Sequence, residues 1–565
     1  MEYDLLVRGG RVVDGSGLPA YLGDVGVRDG KIVAIGRLRG TAARTIDAAG
    51  LAVSPGFIDQ HTHLDAQVLW DPYGTSSPQH GVTSVVMGNC GLTLAPIQDG
   101  GEDAIVGSFV RVEAMPRPAL EQGVPWGWHS YGEYLDALEG KVGINVGGLV
   151  GHIAVRHYVL GAEAVERAAT PAEVAQMQAL VRDALQAGAI GLSTNRNERH
   201  MREDGKPVAS RLASEDEYFA LCDVAAELSA GILQVTLGLQ RIEHIPWLDR
   251  LARRTGRPVV WQSILHRWNA PNFWREQLDA LEPTFRDGYR AYGLTNTVPI
   301  VNRFNLKNAQ VFDEFPLWKT VMFLPEPVRK QAFAEPETRE RLRADMAAPA
   351  QTTFHRRWDL VRVIKVARPE NAGYVGKSVA EVAAARGQDP LDALLDLSLE
   401  EDLETTFWNA NNGGDPEAVG QILRSPYVLV GQSDAGAHVQ FDAAFGYGTT
   451  LLGLWMRERG VLSLEQAIHK LTFQQASVYG IAGRGLLRPG YAADLAIFDP
   501  ATVGACEPEW AADYPAGTRR LVQRAEGMHY TVVNGRVIQE DGRLSGDLPG
   551  AVLRGAAYER AAAAV

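Results

Sequence analysis

Five short runs in the middle of the chain are apolar almost throughout: GINVGGLVG (143–151), AIGLST (189–194), GILQV (231–235), RPVVWQ (257–262) and YVLVGQ (427–432). A strand with one wet face alternates polar and apolar residues, whereas a strand buried on both faces has no reason to. Amphipathic helical segments separate these runs. Thr170-Pro171-Ala172-Glu173 is a capping box with proline at the first helical position, Val174, Met177, Val181 and Leu185 recur on one face, and Gly188 ends the segment. Ser214 with Glu217 opens the next helix, whose inward face is Leu221, Val224 and Leu228. Doubly buried strands alternating with helices specify an α/β chain with a parallel sheet, and the number of units favours a closed (β/α)8 TIM barrel.

The two ends read differently. Residues 1 to about 50 carry short β-type runs with Gly9-Gly10 and Asp29-Gly30 as tight turns, and the C-terminal ADLAIFD (493–499) and HYTVVNGRVIQEDGRL (529–544) repeat that grammar around Asn534-Gly535. We expect residues 1–54 and 485–545 to form one small composite β-sandwich, 55–484 to form the barrel and 546–565 to be a tail. Between about 300 and 400 the pattern breaks into an Arg-, Glu- and Pro-rich interval, expected as an insertion before the last strand. It is either a cover for the barrel mouth or a solvated helical decoration.

Composition removes several classes of function. A net charge of −13 over 565 residues leaves no basic footprint for nucleic acid or an anionic membrane. Three cysteines, Cys90, Cys222 and Cys506, make no disulfide framework, so a reducing compartment is the default. The N-terminus lacks a signal peptide's apolar core, and no run of about 18 apolar residues occurs. We expect a cytoplasmic protein acting on a small molecule, with self-association into a homo-oligomer left open.

The chemistry concentrates in residues 51–91. A Val-, Ile- and Phe-rich run ends at Asp59, and His61 and His63 follow two residues apart, which in an extended strand aims both imidazoles to one side. A second β-type run ends in Gly88-Asn89-Cys90-Gly91 and delivers a thiol from the neighbouring strand end. Imidazole and thiolate together suit Zn²⁺ better than Mg²⁺ or Ca²⁺. Taken separately, the histidines also read as loop residues and Cys90 as a small core filler. After YVLVGQ comes Ser433-Asp434-Ala435-Gly436-Ala437-His438, a carboxylate at a strand end. Asp434 is the candidate general base and acid, taking a proton from activated water and returning it to a leaving amine; a helix cap is the alternative.

HTH after an apolar strand, GNCG, SDAGAH, RGLLRPGYAADLAIFDP (484–500) and VVNG (532–535) together resemble the metal-dependent amidohydrolase superfamily, and within it the N-acyl-D-amino-acid deacylase (D-aminoacylase) branch. GHIAVRHYVLG (151–161), GLST (191–194) and DYPAGTRRL (513–521) extend the resemblance over nearly the whole chain. It implies a barrel fused to a small β-sandwich, one or two zinc ions, and His61, His63, Cys90 and Asp434 in the metal site. Where many members bridge two metals with a carboxylated lysine, the matching GLST has none, and Cys90 is expected to take that place. The branch also implies metal-binding histidines at the ends of the fifth and sixth strands. Here those stretches read Gln234-Val235-Thr236 and Trp261-Gln262-Ser263, and His266 lies three residues beyond as a weaker candidate ligand.

Further candidates for binding substrate are His152, with Arg156 one turn later, His200 in NERHMRED, and Arg196 and Arg267, which suit a carboxylate. Trp268 belongs to an aromatic cluster with Trp261, Phe273 and Trp274 that suits either a bulky substrate or ordinary core packing. The resemblance implies hydrolysis of the amide C–N bond of an N-acyl amino acid or a related N-acyl compound. Cyclic amides, carbamates and aromatic amides are alternative substrates, and a non-catalytic structural paralogue is the alternative from another class.

Overall fold

The computed structural model describes residues 2–238, 242–348, 352, 354–440 and 443–563. It divides into two units, one of Met1–Ile264, Glu276–Val298 and Gly420–Val565, the other of Leu265–Arg275 and Pro299–Val419.

The first unit opens with β1 (Tyr3–Val12), β2 (Tyr21–Arg28), β3 (Lys31–Gly36), β4 (Ala42–Asp47) and β5 (Ala52–Pro55). Gly9-Gly10, expected as a turn, instead lies inside β1, whose register against β2 slips between Val7 and Gly10. The reason is local packing: Gly9 takes the left-handed φ of a bulge, and a Cβ on Gly10 would lie 2.4 Å from Val53 Cγ2. Asp29-Gly30 does turn the chain, with φ of 50° and 72°.

Eight strands then build a second sheet: β6 (Phe57–Asp59), β7 (Val82–Met87), β8 (Asn145–Gly151), β9 (Gly191–Asn195), β10 (Ile232–Thr236), β11 (Val259–Gln262) and β12 (Ala291–Thr295) precede β13 (Ile300–Phe304), β14 (Val361–Lys365) and β15 (Thr406–Asn412) of the second unit, and β16 (Val428–Val430) is the eighth. Their spatial order is the chain order, and every neighbouring pair is parallel. Ile58, Val86, Leu149, Ile190, Ile232, Val260, Leu294 and Leu429 meet in one buried cluster, one residue from each strand or its leading end. That arrangement explains why these strands do not alternate: the opposite side chains are buried too. Beyond β6 and β16 the chain continuations meet, Thr62 bridging Ala435 in parallel and His63 N–H donating to the Ala435 carbonyl at 2.8 Å. The sheet is therefore curled, and its strands' C-terminal ends converge.

The C-terminal part returns to the first sheet. After β17 (Leu495–Phe498) and two small ribbons, β18 (Gly504–Ala505) with β21 (Ala525–Glu526) and β19 (Glu509–Ala511) with β20 (Arg520–Val522), come β22 (Met528–Val533), β23 (Arg536–Glu540) and β24 (Arg543–Leu544). Asn534-Gly535, φ 46° and 77°, makes the β22–β23 turn. The nine-stranded sheet runs β24-β23-β22-β17-β5-β1-β2-β3, with β4 on β1, so β5 and β17 join the two chain ends. Leu5, Val25, Ile32, Val53, Ile497 and Val532 form its core. A last strand, β25 (Val552–Leu553), pairs with β8.

The second unit has its own antiparallel sheet, β13-β15-β14, and helices that include Pro316–Met322, Pro336–Ala347 and Pro390–Glu400. Phe304, Phe312, Trp318, Phe333, Phe354 and Phe407 are buried together. The charges that dominate its sequence lie outside that core, as where Arg339 pairs with Asp396 at 2.6 Å. Among the described residues no helix is long and apolar enough to cross a membrane.

Candidate metal centre

His61 and His63 leave the end of β6 with their rings buried and their centroids 5.4 Å apart. Cys90 follows β7 at a φ of +57°, between Gly88 and Gly91, which are also left-handed. A non-glycine residue held there costs about 1 kcal/mol or more. Gly88 permits the approach, since its Cβ would lie 2.2 Å from the Leu149 carbonyl oxygen. The Cys90 Sγ comes to 3.6 Å from His61 Nε2, and one ligand atom from each of His61, His63 and Cys90 lies within 4.8 Å of the others.

Asp434 arrives from the other edge of the curled sheet, also with positive φ, at +48°. Its Oδ1 is 3.2 Å from His61 Nε2 and 3.9 Å from His63 Nε2. Gly436 fixes the turn, because a Cβ there would meet the His63 carbonyl oxygen at 2.5 Å. Asp434 is 28 % exposed, against 0–1 % for the two histidines, so it is the open side of the group.

The electrostatics suit a cation. Burial, then the neighbouring His61, lowers the His63 pKa to about 3, which keeps a lone pair available. Burial and the carboxylates of Glu113 and Asp434 push the Cys90 thiol well above its usual range. Burial acts to raise the Asp434 carboxyl as well, but the neighbouring imidazoles, His61 foremost, outweigh it and hold it below the ordinary value. Asp434 Oδ1 and His63 Nδ1 are buried without a hydrogen-bond partner. Two imidazoles, a sulfur and a carboxylate with an unsatisfied oxygen fit a borderline-soft divalent ion, whose charge would reverse the shift on the thiol.

Four neighbours were not anticipated as participants. Glu113 Oε1 stands 3.6 Å from His63 Nδ1 and its Oε2 3.7 Å from His438 Nε2, and the His438 backbone N–H donates to the Glu113 carbonyl. Gln262 Nε2 lies 3.0 Å from His61 Nε2, and Gln234 Oε1 accepts the Cys90 backbone N–H at 3.0 Å. His438 had a sequence signal, four residues after Asp434. Glu113 had none, since it follows a helix in no recurring pattern.

The remaining candidates are dispersed. His152 is fully buried, with Nδ1 2.9 Å from Thr194 Oγ1 and Nε2 3.0 Å from Glu217 Oε1, and Arg156 donates to both Glu217 oxygens. Both ring nitrogens of His152 are engaged in that buried network, the structural hydrogen-bonding arrangement. The Glu217 side chain goes there instead of closing a capping box at Ser214. Arg196 lies over the Trp247 ring at 5.0 Å. His200 holds Asn195 Nδ2 at 2.6 Å through its Nδ1, and burial, then Arg199, His438 and His63, lowers its pKa. His266 is outside the ligand group: its ring packs edge-on against Trp268 at 5.1 Å and faces Asp415 at 4.0 Å, all within the second unit. Arg267 lies over Phe273 at 5.0 Å, and Trp261 is a core residue with no exposure.

Comparison with known proteins gives a consistent set. The model of the amidohydrolase family matches residues 44–539. A D-aminoacylase of Alcaligenes xylosoxydans xylosoxydans is 31 % identical over 98 % of this chain and 97 % of its own length. The N-acyl-D-glutamate deacylase of Bordetella bronchiseptica, solved with zinc and a phosphonate mimic of the tetrahedral intermediate, superposes with a TM-score of 0.68 at 26 % identity, covering 98 % of this chain and all of that one. A D-aminoacylase described as having a binuclear metal centre, with one-metal activation and second-metal attenuation, gives 0.66 at 27 % identity over the same shares.

Proposed function

The chain belongs to the amidohydrolase family, and from that premise we propose that it is a metal-dependent hydrolase cleaving the amide C–N bond of an N-acyl amino acid or a related N-acyl compound. The observation that carries this reading is the approach of Cys90, His61, His63 and Asp434 from three strand ends to one point. Those four residues would hold a zinc ion. When bound, such an ion supplies Lewis acidity, acidifying water and polarising the scissile carbonyl.

The chain's own residues do the rest. Asp434, held ionised and open to solvent, takes the proton of the attacking water as the C–O bond forms and delivers it to the departing nitrogen as the C–N bond breaks. Glu113 orients His63 from behind and His438 from the side. Among the sequence candidates His200, whose field reaches His63 and His438, is the one we assign to substrate.

The finer architecture belongs to the same proposal. The Thr62–Ala435 bridge supports a closed (β/α)8 barrel over 55–484 with an insertion around 300–400, and the β5–β17 pairing supports a β-sandwich from 1–54 and 485–545, leaving 546–565 as a tail. Three unpaired cysteines support a reducing, cytoplasmic location.

The test is a hydrolysis panel of N-acyl D- and L-amino acids, cyclic amides, carbamates and aromatic amides with Asp434→Asn alongside. We expect turnover on N-acyl amino acids and a loss of about 10²–10⁴-fold in kcat for the variant. Full turnover by Asp434→Asn would remove the mechanism, and turnover confined to another class would reassign the substrate.

A further inference from the structure

We infer that the centre is built for a single metal ion, and that Gln234 and Gln262 close the face on which a second would need ligands. The inference rests on the metal-dependent reading above and goes beyond it.

The first argument is the donor inventory. Among the described residues His61, His63 and Cys90 are the one group of three or more His, Cys, Asp or Glu whose ligand atoms lie within 4.8 Å of each other. Adding Asp434 makes four donors, the complement of one tetrahedral ion. A second ion sharing the thiolate would require further ligands from the strand ends beyond Cys90.

Those strand ends are β10 and β11, and the side chains they deliver run in one direction. The Cys90 backbone N–H donates to Gln234 Oε1 at 3.0 Å, Gln234 Nε2 donates to Thr236 Oγ1 at 3.2 Å, and the Thr236 hydroxyl donates to Gln262 Oε1 at 2.7 Å. A backbone N–H can only donate, so it fixes the orientation of the Gln234 amide. Both amide oxygens are thereby engaged; Gln262 Oε1 also accepts from Cys90 Sγ at 3.5 Å, and its NH₂ lies 3.0 Å from His61 Nε2. An amide nitrogen has two donors and no lone pair to give a metal. The strand ends beside Cys90 therefore offer neutral amides already hydrogen-bonded to each other through Thr236 and to Cys90, where a second ion would need imidazole or carboxylate donors. Cys90, expected to bridge two ions, is then a terminal ligand of one.

The experiment uses full-length protein, loaded with excess zinc and freed of loosely held metal by gel filtration. Metal content is read by elemental analysis and the centre by X-ray absorption at the zinc edge, for the wild type, Gln262→Ala and the Gln234→His/Gln262→His double variant. We expect about one equivalent in the wild type and in Gln262→Ala, with a single sulfur scatterer and no metal–metal vector. The double variant should approach two equivalents, with a vector at about 3.5–4 Å. Two equivalents and such a vector in the wild type would overturn the inference while leaving the hydrolase reading in place. A folded double variant that stays at one equivalent would show that the glutamines do not set the limit. A wild type holding almost no zinc would instead sink the metal-dependent reading itself.

Discussion

Glu113 shows what a single buried carboxylate can decide. It has no exposure to speak of, burial and the nearby Asp434 raise its pKa well above the usual range, and its two oxygens face His63 and His438. A carboxylate behind a metal-binding imidazole fixes ring orientation, and losing it costs about 10–100-fold in metal affinity. Glu113→Gln keeps the volume and should weaken zinc binding within that range with unchanged far-UV circular dichroism; competition with a chromophoric chelator measures it. An unchanged affinity would reduce Glu113 to a packing residue. Residues of this kind are invisible in sequence because their partners are remote: His63 is 50 positions upstream and His438 far downstream. His61, His63, Cys90 and Asp434 were legible because each closes a recognisable apolar run, so the strand itself carried the signal. The glutamines were legible only as the wrong residue type, and their hydrogen-bond direction appears only once Cys90, Thr236 and Gln262 are brought side by side.

At the scale of elements, the docking of helix Leu464–Leu471 against β16 turns on Lys470. Its Nζ donates to the Ser425 and Val428 carbonyls, and burial lowers its pKa to about 8 from 10.5. Because the folded value is the lower one, the unfolded chain binds more protons between pH 8 and 10.5, so this group's contribution to stability is complete above 10.5 and is lost as pH falls through 8. The full difference is up to about 3 kcal/mol. Urea unfolding at a series of pH values from 7 to 10 should show wild-type stability rising relative to Lys470→Met; parallel curves for the two proteins would refute the linkage. The elements themselves were largely readable. The capping box at Thr170, the turns at Asp29-Gly30 and Asn534-Gly535 and the doubly buried strands all follow from local chemistry. Gly9-Gly10 was not, because a bulge and a turn use the same left-handed glycine, and only the contact with Val53 on β5 distinguishes them.

At the scale of the whole molecule, the interval between the seventh and eighth parallel strands behaves differently from its composition. Its Arg, Glu and Pro content suggests a solvated decoration, yet Leu265–Arg275 and Pro299–Val419 form a unit of about 130 residues, an ordinary domain size, with its own aromatic core. The misleading signal has a physical cause: the charged residues, many of them in ion pairs outside the core, stand out in the sequence, while the residues that form the core, Phe304, Phe312, Trp318 and Phe333 among them, are scattered between them. Two units with separate cores need not unfold together. All four candidate ligands lie in the first unit, and an ion that binds only the folded state stabilises it by about 2.7 kcal/mol when free metal is 100 times its Kd. Calorimetry of the intact chain should therefore show two transitions, of which zinc raises and a chelator lowers only the larger one, by a few degrees. A single transition that moves as a whole with metal would mean that the two cores melt as one cooperative body, and metal binding would then stabilise a unit that holds no candidate ligand.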